Sequence, residues 1–257
     1  MSTQTSIEWT ELSWNPTTGC SKVSPGCENC YAETMARRLK SIGLKGYENG
    51  FALTLQPDRL NEPLARKKPS VYFVNSMSDL FHEDVPDRYI NDVLSIISKA
   101  NCHTFQILTK RVKRMAQYFK NKSLPKNLWV GVTVENKKHG LPRIDHLRQI
   151  RVLTRFISME PLLEDLGPID LSGINWAIVG GESGAKARPM KPTWVINIKE
   201  QCKKQGSIFF FKQWGHWGPD GVKRSKKANG RVLLGRTWDN KPQTSHPMSP
   251  AEPVAAR

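Results

Sequence analysis

Short apolar runs rich in β-branched and aromatic residues alternate with amphipathic helical stripes along most of this chain. That alternation restricts the fold more than any single residue does. Eight runs read as strands: Ile7 to Trp14, Phe51 to Leu55 (ended by Pro57), Val71 to Asn75, Thr104 to Thr109, Leu128 to Val134, Arg155 to Met159, Ile174 to Gly180 and Ser207 to Phe211. Runs this apolar suit strands buried on both faces, as in parallel sheets. Helical patterns fall between them at Tyr31 to Ser41, at Ile90, Val93, Leu94 and Ile97 behind Pro86-Asp87, at Val112 to Lys120 and at Leu141 to Gln149. A last stripe, Trp194, Val195, Ile198 and Cys202, follows Pro192-Thr193. The segment between the sixth and seventh strands is irregular. The pattern predicts an α/β fold, a TIM-like (β/α) barrel, complete or nearly complete, over residues 1–215. A basic, Gly/Pro-rich C-terminal extension covers 216–257, and its end, from about Gln243, is expected to be disordered.

In a parallel barrel, the C-terminal ends of the strands form the functional face. Polar residues gather at those positions: Ser76 and Asp79 after the third strand, Lys110 after the fourth, Glu135 after the fifth and Glu160 after the sixth. Gly180, Gly181 and Glu182 follow the seventh, and Lys212 the eighth. The glycines of GGESG let a ligand approach the backbone, but the spacing is not that of a dinucleotide-binding fingerprint. Ser76, Asp79, Glu135, Glu160, Gly180, Gly181 and Glu182 are therefore candidate cofactor-binding residues. Lys110 and Lys212 are the candidates for chemistry at the reacting atoms.

Cys20, Cys27 and Cys30 stand in one loop after the first strand, in GCSKVSPGCENCYAE, and so open on the same face. Three soft ligands in so short a loop can hold a metal and leave a coordination position open. Two occupants fit. An iron–sulfur cluster with an open iron needs these three thiolates alone. A structural zinc needs a fourth ligand, which His82, His103 or His216 would supply through the fold. Cys202 lies on an apolar helical stripe, and Cys102 precedes the fourth strand, at the opposite end of the barrel.

The net charge is +16, from 39 basic and 23 acidic residues, which suits a polyanionic partner such as DNA or RNA. No apolar run is long enough to span a membrane, and the N-terminus lacks the layout of a secretion signal, so the expected location is cytoplasmic. There a cysteine cluster reads as metal-binding or redox-active.

The runs SWNPTTGCSKVSPGCENCYAE, FVNSMSDLFHEDVP, FQILTKR, VGVTVEN, ISMEPLL, VGGESGAKARPM, FFFKQWG and GRTWD together resemble the phage Gp37/Gp68-like proteins, a domain of unknown function. That family in turn resembles the radical S-adenosylmethionine superfamily. The resemblance implies that Cys20, Cys27 and Cys30 bind a [4Fe–4S] cluster whose open iron takes S-adenosylmethionine. It also implies an external reductant as electron donor and a 5′-deoxyadenosyl radical that abstracts hydrogen from the substrate. With the basic charge, it points to nucleic acid or a nucleotide derivative, for repair or modification. The alternative is a zinc-containing nucleic-acid-binding accessory protein without catalysis. Two features depart from the superfamily pattern. The spacing is C-x6-C-x2-C rather than C-x3-C-x2-C, and GGE ends the seventh strand rather than the second. The amine-binding role of that motif is therefore not carried over to Glu182, and Ser76, Asp79, Glu135 and Glu160 compete for it.

Overall fold

A computed structural model describes residues 3–244; the end expected to be disordered, apart from Gln243 and Thr244, lies outside the described residues. Its main sheet has eight strands in the order β1 (Thr3–Gln4), β2 (Leu12–Trp14), β5 (Val71–Val74), β6 (Thr104–Thr109), β7 (Leu128–Thr133), β8 (Thr154–Met159), β9 (Trp176–Gly180) and β10 (Ile208–Gln213). β1 pairs antiparallel with β2; the seven strands from β2 to β10 are all parallel. The remaining strands, β3 (Thr17–Thr18) and β4 (Thr54–Leu55), form a separate antiparallel pair.

That pair corrects the expected barrel. The run from Phe51 to Leu55 does not enter the main sheet, because its only paired residues, Thr54 and Leu55, bond to β3. The first expected strand shortens to Leu12–Trp14. With seven parallel strands and no pairing between β10 and β2, the sheet is an open, curled half-barrel rather than a complete or nearly complete one.

Both faces are buried, as the apolar runs require. On the convex face lie α2 (Asp87–Lys99), α3 (Val112–Phe119), α4 (Leu141–Arg148) and α5 (Pro192–Gln205), with Ile90, Val93, Met115, Leu147, Val195 and Cys202 in one core with alternate strand residues. α5 starts on Pro192 and ends at Gly206, whose φ of 74° is the left-handed stop that glycine favours. On the concave face, Trp9, Phe73, Trp129, Phe156, Trp176 and Phe210 form a second core. Gly131 has no side chain because Phe156 fills that space: a Cβ there would meet the ring at 2.5 Å. Burying rings of this size contributes about 2–3 kcal/mol each.

Segments outside the parallel strands pack on the sheet at its concave face and at its β10 edge. Trp9 enters the concave core, 4.6 Å from Phe73 between ring centroids. The edge of β10 is covered by a strap in which Asp239 bridges to Phe210 and the Phe211 amide donates to the Trp238 carbonyl at 2.9 Å. Among the described residues, no helix is long and apolar enough to cross a membrane.

Candidate functional site

Loops leaving parallel strands at their C-terminal ends share one pole, and a cavity of about 220 Å³ opens there. Its floor is the upper edge of the concave core, including Trp9, Phe73 and Leu108. Its walls carry Cys20, Cys27, Cys30, Ser76, Asp79, Lys110, Glu160, Gly181, Glu182 and Lys212. Of the three loop cysteines, the two candidate lysines and the seven candidate cofactor-binding residues, only Glu135 and Gly180 do not line it; His82, His103 and His216 do not line it either.

The cysteine loop lies between β3 and α1 (Tyr31–Ser41), which begins directly after Cys30. All three thiols are free of disulfides and partly accessible. Gly19 fixes the entry to the loop. Its φ is 78°, and a Cβ there would overlap the Ala52 carbonyl. Its amide donates to the Met77 carbonyl, and that of Cys20 to the Phe51 carbonyl, each at 3.1 Å. Gly19→Ala combines backbone strain with a backbone clash and is expected to cost about 2–4 kcal/mol. Thermal melting measures this, and an unchanged midpoint would contradict the geometry.

Arg111, which follows Lys110 at the end of the fourth expected strand but is not among the candidate cofactor, metal or reacting residues, organises this wall. Its side chain is 4% exposed. Nη1 donates to Cys20 Sγ at 3.4 Å and to Asp79 at 3.3 Å, Nε to Glu83 at 2.9 Å, and Nη2 to Ser21 Oγ at 2.8 Å. Burial pushes the Cys20 thiol up to about 11; the Asp79 charge adds to the rise, and Arg111 opposes it. Only a metal or stronger positive field would make that sulfur a thiolate near neutrality.

Asp79 is spent inside the structure. It accepts from Thr109 Oγ1 at 2.7 and 2.9 Å, from the Phe81 amide at 3.0 Å and from the Lys110 amide at 3.2 Å. Glu182 is equally committed: Arg188 Nη2 donates to it at 2.6 Å and Asn29 Nδ2 at 3.0 Å. Burial raises the Glu182 carboxyl, but hydrogen bonds from Arg188 and Asn29 outweigh it and leave the carboxyl below its ordinary value. Because Asn29 sits between Cys27 and Cys30, Glu182 clamps the cysteine loop to the segment after β9. Glu135 lies beneath the same loop, fully buried and ion-paired with Arg143 at 2.5 Å. A Cβ on Gly26 would come within 3.2 Å of it.

Glu160 presents a different balance. It receives Trp9 Nε1 at 3.2 Å and Ser158 Oγ at 3.1 Å and pairs with Lys212 at 3.1 Å, all at the cavity floor. Gly180 leaves room for it, since a Cβ there would lie 2.6 Å from Oε1. Ser76 accepts from Asn15 Nδ2 at 3.2 Å. Two further wall residues hold buried acceptors with no hydrogen-bond partner, Asn75 Oδ1 and Gln213 Oε1. A buried acceptor left unpaired costs about 1–3 kcal/mol.

Each of the three candidate histidines has a partner other than the loop thiols. His82 Nε2 meets Ser21 Oγ at 2.8 Å, His103 Nε2 meets the Arg66 carbonyl at 2.8 Å, and His216 Nδ1 accepts from the Gly184 amide at 3.0 Å. Among the described residues, no three His, Cys, Asp or Glu side chains converge on one metal position. The three thiols share a cavity wall without sharing a coordination point. Their donor chemistry, three unbridged cysteine sulfurs on one loop, nonetheless fits an iron–sulfur cluster.

The architecture is similar to solved structures of spore photoproduct lyase. The lyase complexed with dinucleoside spore photoproduct gives 12% identity and a TM-score of 0.44. A mutant of that enzyme with bound AdoMet and dinucleoside spore photoproduct gives 12% and 0.43. In both comparisons 80% of this chain is covered, and it spans 64% of the length of the lyase. No curated protein matches the sequence. Residues 4–242 match one family throughout, and the chain belongs to it: DUF5131, a family of proteins of unknown function.

Proposed function

We propose that this protein is a radical S-adenosylmethionine enzyme acting on nucleic acid or a nucleotide derivative. The observation that carries the reading is that three unbridged thiols of one loop line the same cavity as the ends of the parallel strands. Cys20, Cys27 and Cys30 would hold a [4Fe–4S] cluster, with S-adenosylmethionine beside it. Bound there, the cluster would supply one-electron reduction of the cofactor, and the cofactor would supply hydrogen-abstraction chemistry. The chain's own residues do the remaining work. Glu160, held by Trp9, Ser158 and Lys212, offers a fixed carboxylate to amino or hydroxyl groups. Trp9, Phe73 and Leu108 exclude water from the floor. Lys110 stands on the wall as a cation for an anionic substrate group. Asp79, Glu135 and Glu182 hold the loops rather than the ligand.

Anaerobic reconstitution with iron and sulfide tests this. The expected product is a brown protein that, once reduced, cleaves S-adenosylmethionine to methionine and 5′-deoxyadenosine. Stoichiometric zinc without iron uptake would establish the non-catalytic alternative instead.

A further inference from the structure

A second concavity, of about 800 Å³, lies at the other end of the sheet. It is formed by the loops that enter β7 and β8, residues 120–126 and 151–155. Strands of six residues separate it from the cysteine cavity, roughly 20 Å at the rise of a β-strand. Five of its eleven wall residues are cationic (Lys120, Lys122, Lys126, Arg151 and Arg155) and none is acidic.

Cations at helix C-termini are common because they complement the helix dipole. That accounts for Lys120, which caps α3, but Lys126, Arg151 and Arg155 lie outside any final helical turn. Two of the five cations are held in place. Arg155 donates from Nε and Nη2 to the Ile150 carbonyl at 3.0 and 2.6 Å. Lys122 sits 4.2 Å from the Tyr118 ring centroid and donates to Asn91 at 3.1 Å. Lys120, Lys126 and Arg151 are exposed, and among the described residues none forms an ion pair. Arg148, close by in sequence, is neutralised by Asp145 and Asp170 and adds nothing to the field.

The charge extends beyond the groove. The sheet order runs β5-β6-β7-β8; the segment entering β5 carries exposed Arg66, Lys67 and Lys68, and exposed Lys99 ends α2 before β6. Four adjacent strands span roughly 15 Å, so the cationic band is wider than one phosphate group. A band of this width favours a ligand with repeated phosphates. Exposed Leu153 adds an apolar contact on the groove wall.

We infer that this pole of the sheet, centred on the groove between residues 120–126 and 151–155, binds the phosphate backbone of a nucleic acid. It grips charge rather than sequence, and it lies apart from the cysteine cavity. The inference does not rest on the reading of that cavity, because a protein that never took up iron would still present this surface. Free polyphosphate carries the same chemistry and is the control.

The test is fluorescence polarisation of the full chain with a labelled 20-base-pair DNA duplex across a salt series. Lys126→Glu combined with Arg151→Glu is expected to weaken binding at low salt by at least about tenfold. It should also flatten the log–log salt slope by about 2, at about 0.9 for each phosphate no longer neutralised. The neutralising pair Lys126→Gln with Arg151→Gln should flatten the slope similarly, and it serves if the charge-reversed protein does not fold. Lys137→Glu, at the cavity pole, should leave affinity within about twofold. Three results would overturn the inference: no duplex binding at low salt, equal binding by the double variants and the parent, or groove-dependent binding of tripolyphosphate without binding of the duplex.

Discussion

Under the proposed function, Cys27→Ala is expected to abolish the iron uptake expected of the parent, bringing iron from about four per chain to near zero. Three thiolates are the fewest that hold a four-iron cluster while leaving one iron open. Removing the middle sulfur leaves Cys20 and Cys30 at the two ends of the loop. No replacement is at hand, because His82, the buried imidazole nearest in the hydrogen-bond network, is spent on Ser21 and on the Asp84 amide. Cys102→Ala is the matched control. That thiol is partly accessible too, but it precedes β6 at the opposite pole, and its iron content should equal the parent's. Iron analysis and visible absorbance after anaerobic reconstitution decide the matter. Full iron in Cys27→Ala would remove that residue from the ligand set.

Arg111→Met is expected to lower stability by about 3 kcal/mol. The substitution keeps much of the side chain's apolar length and removes its charge. It strands Asp79, whose side chain is 9% exposed, without its cation. Breaking a buried pair from one side costs about 3–5 kcal/mol. Asp79 keeps neutral donors from Thr109, Phe81 and Lys110, which places the loss at the lower end. Lysine is a poor rescue, because one ammonium cannot reach Cys20, Ser21, Asp79 and Glu83 together. Urea denaturation should show a lower midpoint with an unchanged slope. A midpoint equal to the parent's would mean that the guanidinium contributes no net stability.

The sequence made some of this legible for identifiable reasons. α1 at Tyr31–Ser41 and β6 at Thr104–Thr109 match the expected bounds, because each is delimited by local turn chemistry and a clear periodicity. The run at 51–55 misled because its aromatic and β-branched content suits a strand in any sheet, and only the pairing partner decides which. Barrel closure was illegible for a similar reason: whether β10 meets β2 is a property of the whole curl, not of any segment. Grouping the strand-end residues worked because one topological rule places every such loop at one pole. Their individual roles did not follow from that rule. Glu182 is occupied by Asn29 from a loop 153 residues away, and Arg111 reaches Cys20 across 91 residues. Such pairings arise only when the sheet brings distant loops together.

The strap across β10 has a consequence for how this protein behaves in solution. An open half-barrel ought to offer two unpaired strand edges, each a template for joining another chain into a continuous sheet. Here one edge is bonded to the segment around Trp238 and Asp239, and the other is the two-residue strand Thr3–Gln4. A sheet left unclosed by its own strands is thus protected from edge-to-edge aggregation at both sides, without needing a partner subunit to shield it.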